Sequence, residues 1–158
     1  MIPAESWDMI RAVRDGQHSQ KVKLSLRKRE KSYQEFGEFL HGFVTDLNNS
    51  TIDGWAILVE GKRDAGALRK LGCVGNLVTV SSVVRRGVKA FEEDRKVIIL
   101  TDLDREGAVL ASRYIKRLSH DGFRTSLRER LRLKIASHGV FLHVEGLSRF
   151  AEAASGRP

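Results

Sequence analysis

Short apolar runs alternate with segments of helical periodicity after residue 54, and this alternation constrains the fold more than any other feature. The apolar runs that predict strands are 55–60, 77–80, 96–102 and 140–144, and the more polar segment 124–127 is a further candidate strand. The segments that predict helices are 63–71, 81–92, 104–119, 128–137 and 147–154. Because strands without polar positions are buried on both faces, the pattern predicts an α/β fold, with a parallel sheet of about four strands flanked by helices.

The chain before this alternation predicts an amphipathic helix preceded by a basic extension. Ser32 and Glu35 form a capping-box pattern at the start of a helix over 32–49. Its apolar face needs a partner, and the sheet or an adjacent helix is the expected one. We assign this helix to a domain at 32–158 and residues 1–31 to an N-terminal extension. Within the extension, 4–14 predicts a short helix, and the lysine- and arginine-rich segment 20–31 fits either a solvated arm or an edge strand.

Two of the predicted strands end in acidic residues. The first ends at Glu60, and the third ends at Asp102, with Asp104 and Glu106 close behind. Ligands of parallel sheets bind beyond the carboxyl ends of the strands, so these carboxylates converge if the two strands are neighbours. Crowded carboxylates repel one another, and a divalent cation with oxygen ligands relieves that repulsion. The sequence therefore indicates a site for Mg²⁺, or alternatively Mn²⁺, although acids at a helix start also cap free N–H groups.

Basic residues and glycines accompany these acids. The candidate phosphate- and nucleic-acid-binding residues are Lys62, Arg63, Arg85, Arg86 and Arg105. Gly61 and Gly107 are candidate structural glycines, because glycine permits a close approach of the backbone to a ligand or a helix. A metal on one side of a phosphate and cations on the other is the arrangement that phosphoryl chemistry uses.

Two segments, 59–68 and 99–107, together resemble the Toprim domain. The family pattern is a strand that ends in Glu-Gly and a later strand that ends in Asp-x-Asp, and Glu60-Gly61 and Asp102-Leu103-Asp104 match it. The family includes type IA and type II topoisomerases, bacterial primases and the nuclease that matures 5S ribosomal RNA. The resemblance implies that Glu60 is the general acid/base and that Asp102 and Asp104, as catalytic residues, hold Mg²⁺. Glu60 and Glu106 are the further candidate metal ligands.

The rest of the chain narrows the class of Toprim protein. Segments 32–54 and 143–150 are similar to small stand-alone Toprim proteins of archaea, which are related to the 5S rRNA nuclease. A complete topoisomerase needs a nucleophilic tyrosine on another domain, whereas Tyr33 and Tyr114 both occupy helix-face positions. A primase is disfavoured because one cysteine cannot form a multi-cysteine zinc site. Two functions stay open: a Mg²⁺-dependent nuclease for structured RNA, acting in rRNA processing, and a non-catalytic nucleic-acid-binding module of a ribosome or of an RNA- or DNA-processing complex.

The charge balance favours a polyanionic partner. The formal net charge is +8, and each phosphate that binds a cationic protein releases condensed counterions. A second basic stretch, with an exposed helix face as its alternative, contains Arg124, Arg128, Arg130, Arg132 and Lys134. We expect RNA rather than DNA as the partner. No run approaches the roughly 20 apolar residues that span a bilayer, and no signal-peptide pattern opens the chain, so a cytoplasmic protein without a membrane partner is predicted.

Overall fold

Four parallel strands form one sheet in this computed structural model, which describes residues 4–139 and 143–154. The sheet has the order β2-β1-β3-β4, with β1 at Trp55–Val59, β2 at Leu77–Thr79, β3 at Lys96–Ile99 and β4 at Arg124–Ser126. The α-helices are α1 (Ala4–Ile52), α2 (Lys62–Lys70), α3 (Val80–Arg86), α4 (Arg105–His120), α5 (Arg128–Ser137) and α6 (Ala151–Ala154), and two 3₁₀ helices cover Gly87–Phe91 and Val144–Phe150. The predicted α/β fold is confirmed.

β1 and β3 are neighbours, as the convergence of the acidic residues requires. Ile57 of β1 pairs with Leu77 on one side and with Ile98 on the other, and both pairings are parallel. The chain therefore runs outward from β1 to β2 and then returns to place β3 on the opposite side of β1. This reversal of direction creates a crevice at the carboxyl ends of β1 and β3, where open α/β sheets bind their ligands.

Alternate residues of the strands enter two hydrophobic cores on the two faces of the sheet. Ile57 packs with the α1 residues Phe36, Leu40, Phe43, Val44 and Leu47. Leu58 packs with Tyr114 and Leu118 of α4 on the opposite face. The apolar face predicted within 32–49 therefore covers the sheet, as expected, and the two cores fix β1 and β3 from both sides.

The N-terminal part of the chain differs from the prediction. The backbone divides into two compact units at 1–35 and 36–158, and α1 passes through the predicted start at Ser32 without interruption. The alternative of an edge strand within 20–31 is wrong. Residues 17–36 contain no glycine or proline and are rich in lysine, arginine, glutamine and leucine, which are good helix formers, so nothing in this segment ends a helix. The assignment of domains to 1–31 and 32–158 stays a prediction.

Two later elements also depart from their predicted bounds. Thr79, rather than Ser81 or Ser82, caps α3, since its Oγ1 accepts the Ser82 N–H at 3.2 Å. Gly87 has φ 62° and ends α3, so the predicted helix over 81–92 divides into α3 and a 3₁₀ helix. Most of the predicted strand 140–144 lies outside the described residues, but Val144 begins a 3₁₀ helix that takes up half of the predicted helix 147–154. Among the described helices, none has the length and apolar character needed to cross a membrane.

Candidate metal centre

The ends of β1 and β3 meet through Glu60. Its Oε1 accepts a hydrogen bond from the backbone N–H of Asp102 at 3.1 Å. The strand ladder leads directly to this contact, because the N–H of Leu100 donates to the carbonyl of Leu58 at 2.8 Å. Two segments that are 42 residues apart in the sequence thereby place their acidic ends side by side.

The turn between β3 and α4 presents Asp102 and Asp104 in a fixed geometry. Asp104 is the N-cap of α4, and its Oδ1 accepts the Gly107 N–H at 2.6 Å. The Thr101 hydroxyl donates to the Gly107 carbonyl at 2.7 Å. A Cβ atom at position 107 would collide with the carbonyl oxygen of Asp102, so only glycine fits there. The capping alternative for Asp104 is therefore real, but capping occupies one carboxylate oxygen and leaves the other for a ligand.

Arg130 supports this turn from the protein interior. The residue is buried, and its Nη2 donates to the Asp102 carbonyl at 2.6 Å and more weakly to the Asp104 carbonyl at 3.5 Å. Its Nε donates to the Thr101 carbonyl at 3.3 Å. Burial lowers the pKa of Arg130, while the charges of Asp104, Glu60 and Asp102 act in the opposite direction. The exposed-helix interpretation of the basic stretch is thus wrong for Arg130, which binds main-chain oxygens below the carboxylates.

The C-terminal 3₁₀ helix contributes two further groups to the centre. Asp102 accepts the Val144 N–H on Oδ1 at 2.8 Å, and its Oδ2 lies 3.2 Å from Nδ1 of His143. The same imidazole nitrogen lies 3.8 Å from Oδ2 of Asp104. One ligand atom from each of Asp102, Asp104 and His143 falls within 4.8 Å of the others, which makes these three residues a candidate metal-ligand set.

Sequence analysis did not identify His143. The five histidines show no metal-ligand spacing along the chain, and His143 reaches the site only because the C-terminal 3₁₀ helix packs against α2. The hydrogen bond to Asp102 raises the pKa of His143, and the charges of Asp102, Asp104 and Glu145 raise it further. The two aspartates thus favour positive charge at this position, as a cation site does.

Asp64 fixes the turn that follows Glu60. Its side chain is buried, accepts the Gly61 N–H at 2.9 Å and also accepts a backbone hydrogen bond from Glu145. This one carboxylate thus ties the start of α2 to the C-terminal 3₁₀ helix. At Gly61 a Cβ atom would meet only Asp64 Oδ2 at 3.9 Å, which is an ordinary contact, so sterics alone do not require glycine there.

The electrostatics of the centre fit a divalent cation. Burial raises the pKa of Glu60, and the negative charges of Asp102, Asp64 and Asp104 raise it further, although the hydrogen bond from the Asp102 N–H opposes them. Oxygen-rich sets of two or three carboxylates are what Mg²⁺ and Mn²⁺ prefer, and an imidazole nitrogen is tolerated better by Mn²⁺. The donor atoms present therefore suit a divalent cation.

The other predicted residues lie around this centre or farther from it. Glu106 and Arg105 are exposed in the first turn of α4 and line a groove with Glu60. Lys62 and Arg63 are exposed at the start of α2, one and two residues beyond Gly61. Arg85 and Arg86 occupy the last turn of α3. A seven-residue helix rises about 10 Å, which separates Arg85 and Arg86 from the α3 start at the end of β2.

Comparison with known proteins gives the family. Residues 55–135, about half of the chain, match the model of the Toprim domain. The chain belongs to the Toprim domain family. A UPF0292 protein of Methanosarcina barkeri is 32% identical over 117 residues, which cover 73% of this chain and 82% of that protein. A UPF0292 protein of Archaeoglobus fulgidus is 29% identical over 113 residues, which cover 72% of this chain and 90% of that protein.

A solved structure supports the same assignment. A protein of Aquifex aeolicus aligns with a TM-score of 0.54 and 28% sequence identity, over 66% of this chain and 94% of that one. Toprim domains bind divalent metals and serve functions connected with nucleic acid. In this chain a candidate set of ligands for such a metal consists of Asp102, Asp104 and His143.

Proposed function

We propose that this protein is a Mg²⁺-dependent nuclease that hydrolyses phosphodiester bonds in structured RNA, and that it acts in rRNA processing in the cytoplasm. The observation that carries the proposal is the hydrogen bond between the Glu60 carboxylate and the Asp102 N–H, at 3.1 Å. This contact places a carboxyl group with a raised pKa beside the aspartates that would hold a metal. A proton acceptor next to a Lewis acid is the pairing that hydrolysis of a phosphodiester requires.

Each residue has one role in this proposal. Asp102 and Asp104 hold Mg²⁺ or Mn²⁺, with His143 or Glu106 as a further ligand. The cation, when bound, supplies Lewis acidity that activates water and neutralises phosphate charge. Glu60 removes a proton from the attacking water. The exposed side chains of Lys62, Arg63 and Arg105 hold phosphate oxygens beside it.

The choice of RNA rests on charge and on the family resemblance. The side chains of Lys21, Lys23, Arg27, Lys28 and Arg29 are all exposed on α1, and Arg85 and Arg86 are exposed on α3. Such surfaces bind phosphates without sequence preference. The similarity to small Toprim proteins related to the 5S rRNA nuclease favours an rRNA precursor, within a ribosomal or RNA-processing complex.

Cleavage of precursor rRNA by the purified full chain tests the proposal. We expect fragments in the presence of Mg²⁺ and none in EDTA. Glu60→Gln should lower the rate about 10²- to 10⁴-fold, which is the contribution of a general base. Glu93→Gln is the control, because Glu93 is exposed in the turn before β3, at the other end of the sheet. Full activity of Glu60→Gln would refute the assignment of the general base.

A non-catalytic RNA-binding module is the second candidate function, and the exposed cations of α1 favour it because they need no metal to bind phosphate. RNA binding that persists in EDTA, falls steeply with salt and is never followed by cleavage would support this candidate over the nuclease. Replacing Arg27, Lys28 and Arg29 with glutamine should then weaken binding. Unchanged affinity would exclude this helix segment from RNA binding.

A further inference from the structure

A groove of about 420 Å³ begins beside the candidate metal centre and follows the first half of α4. Its lining residues are Glu60, Arg105, Glu106, Val109, Leu110 and Arg113. The groove shares Glu60 with the metal centre, but Val109, Leu110 and Arg113 have no role in metal binding. Their presence in the groove therefore has a separate cause.

The groove changes in chemical character along its length. The carboxylates of Glu60 and Glu106 lie at the end nearest the metal centre, whereas Arg113 lies two turns farther along α4. A rise of 1.5 Å per residue puts Arg113 about 12 Å along the helix axis from Arg105. Between them Val109 and Leu110 form an apolar floor, and Val109 is 54% exposed. Along the groove, the metal site is therefore followed by an apolar surface and then by a cation.

The opposite face of α4 holds this surface in place. Ala111, Tyr114 and Leu118 are buried in the core between the helix and the sheet. Because residues three and four apart share one side of a helix, burial of these residues directs positions 105, 109 and 113 toward solvent. The helix cannot rotate to hide Val109 without removing Tyr114 from the core, so the apolar floor is a fixed part of the surface.

We propose that this groove binds the nucleotide adjacent to the phosphate at the metal centre, with its base against Val109 and Leu110 and its next phosphate on Arg113. The inference rests on the proposed function and adds the form of the substrate. A base can lie flat on an apolar surface only when it has left its own stack, since a paired base is covered on both faces. The substrate therefore carries an unpaired nucleotide beside the cleaved bond, as in a loop, a bulge or a single-stranded end.

The charge pattern selects a nucleotide over other occupants. Arginine binds phosphate oxygens through two parallel N–H donors, and its planar guanidinium also stacks on bases. A carboxylate-rich peptide would meet the carboxylates of Glu60 and Glu106 at the end of the groove nearest the metal centre. Of the two arginines that line the groove, only Arg105 lies at that end. A nucleic-acid strand instead brings a phosphate that shares the metal with those carboxylates.

Binding of a fluorescent single-stranded tetranucleotide RNA to the full chain, with Ca²⁺ in place of Mg²⁺, tests the inference, because a cation is present to receive the phosphate and only binding is measured. We expect Arg113→Gln to weaken binding about tenfold, the effect of losing one charge-assisted hydrogen bond, and to reduce the salt dependence by about one counterion. Val109→Glu should weaken binding about fivefold or more, through lost base stacking and through repulsion of the phosphates of the strand. Arg117→Gln is the matched control, because Arg117 is exposed one turn farther along the same helix and does not line the groove.

A second probe separates stacking from charge. An abasic tetranucleotide should bind the unmodified protein more weakly than the intact one, while Val109→Glu should bind both equally. Equal losses in Arg113→Gln and Arg117→Gln, or equal affinity for duplex and single-stranded RNA, would overturn the groove assignment. A protein that never cleaves RNA but shows the expected pattern of binding would retain the groove and lose only the nuclease proposal. If the protein cleaves RNA but its groove variants bind RNA like the control, the nuclease proposal is retained and the groove assignment is lost.

Discussion

The strands carry opposite charges at their two ends, which we call the carboxyl edge and the amino edge of the sheet. At the carboxyl edge, Glu60 follows β1 and Asp102 follows β3. At the amino edge, Trp55 of β1 pairs with Lys96 of β3, which in turn pairs with Arg124 of β4. Lys96 Nζ lies 5.4 Å and the Arg124 guanidinium carbon 5.7 Å from the centre of the Trp55 ring.

The two edges differ in the partners that their charged side chains find inside the protein. The indole of Trp55 offers its negative face to both cations, so Lys96 and Arg124 each have a favourable partner at the amino edge. At the carboxyl edge Glu60, Asp102 and Asp104 lie beside like charges, and the raised pKa of Glu60 is a consequence of burial and this repulsion. Arg130 offsets the repulsion from below without reaching a carboxylate. The amino edge is therefore structural, whereas the carboxyl edge holds the candidate metal ligands.

The largest effect is expected from Gly107→Ala at the carboxyl edge. The new methyl group would collide with the Asp102 carbonyl oxygen, and overpacking against main-chain atoms costs about 3 kcal/mol. Urea unfolding should show this loss in the free energy of unfolding. Gly66→Ala is the matched control in α2, the helix that follows β1 as α4 follows β3. A methyl group at position 66 would meet no atom within 4 Å beyond its own helix backbone, so we expect a gain of up to about 1 kcal/mol. Equal stability of the two variants would contradict the close approach.

The next effect concerns the support of the metal-binding turn. Arg130→Met keeps the length and the apolar stem of the side chain but removes the donors to the carbonyls of Thr101 and Asp102. Since loss of a group that orients metal ligands typically costs 10- to 100-fold in affinity, we expect Mg²⁺ binding to weaken at least about tenfold, measured by calorimetry. Arg124→Met at the amino edge should leave Mg²⁺ affinity unchanged. Loss of a positive charge by itself favours a bound cation, so unchanged or stronger Mg²⁺ binding in Arg130→Met would show that overall charge rather than turn geometry governs the site.

The sequence predicted some residues of the carboxyl edge and missed others for a physical reason. Glu60, Asp102 and Asp104 are adjacent to strand ends, so the sequence predicted their convergence on the condition that the two strands are neighbours, which β1 and β3 are. The roles of Arg130 and His143 depend on how α5 and the C-terminal 3₁₀ helix pack on the sheet, which no local pattern encodes. The same limit explains α1: a capping pattern at Ser32 predicted a helix start, but the residues before it are themselves good helix formers.

A pH-dependent effect is expected at Asp64, which is buried at the carboxyl edge. Burial raises the pKa of this carboxyl group above 3.8, and the charge of Asp102 adds to the shift. A raised pKa stabilises the fold fully only below the unfolded-state value, and this stability is lost as the pH rises through the folded-state value. Asp64→Asn cannot ionise but keeps an oxygen acceptor for the Gly61 N–H. Its free energy of unfolding relative to the unmodified protein should therefore rise as the pH increases above about 4, the value of an unperturbed aspartate. A relative stability that falls over this range would contradict the raised pKa.

The smallest effect is expected at the amino edge, from Lys96→Met. Methionine keeps the apolar contact with the Trp55 ring and removes only the ammonium group above it. A cation–π contact at a partly exposed site contributes about 0.5 to 1 kcal/mol, so the free energy of unfolding should fall by about that amount. Mg²⁺ affinity should not change, because Lys96 interacts with Trp55 and lies at the other end of β3 from Asp102. A change in Mg²⁺ affinity as large as that of Arg130→Met would show that the two edges are coupled through the strands.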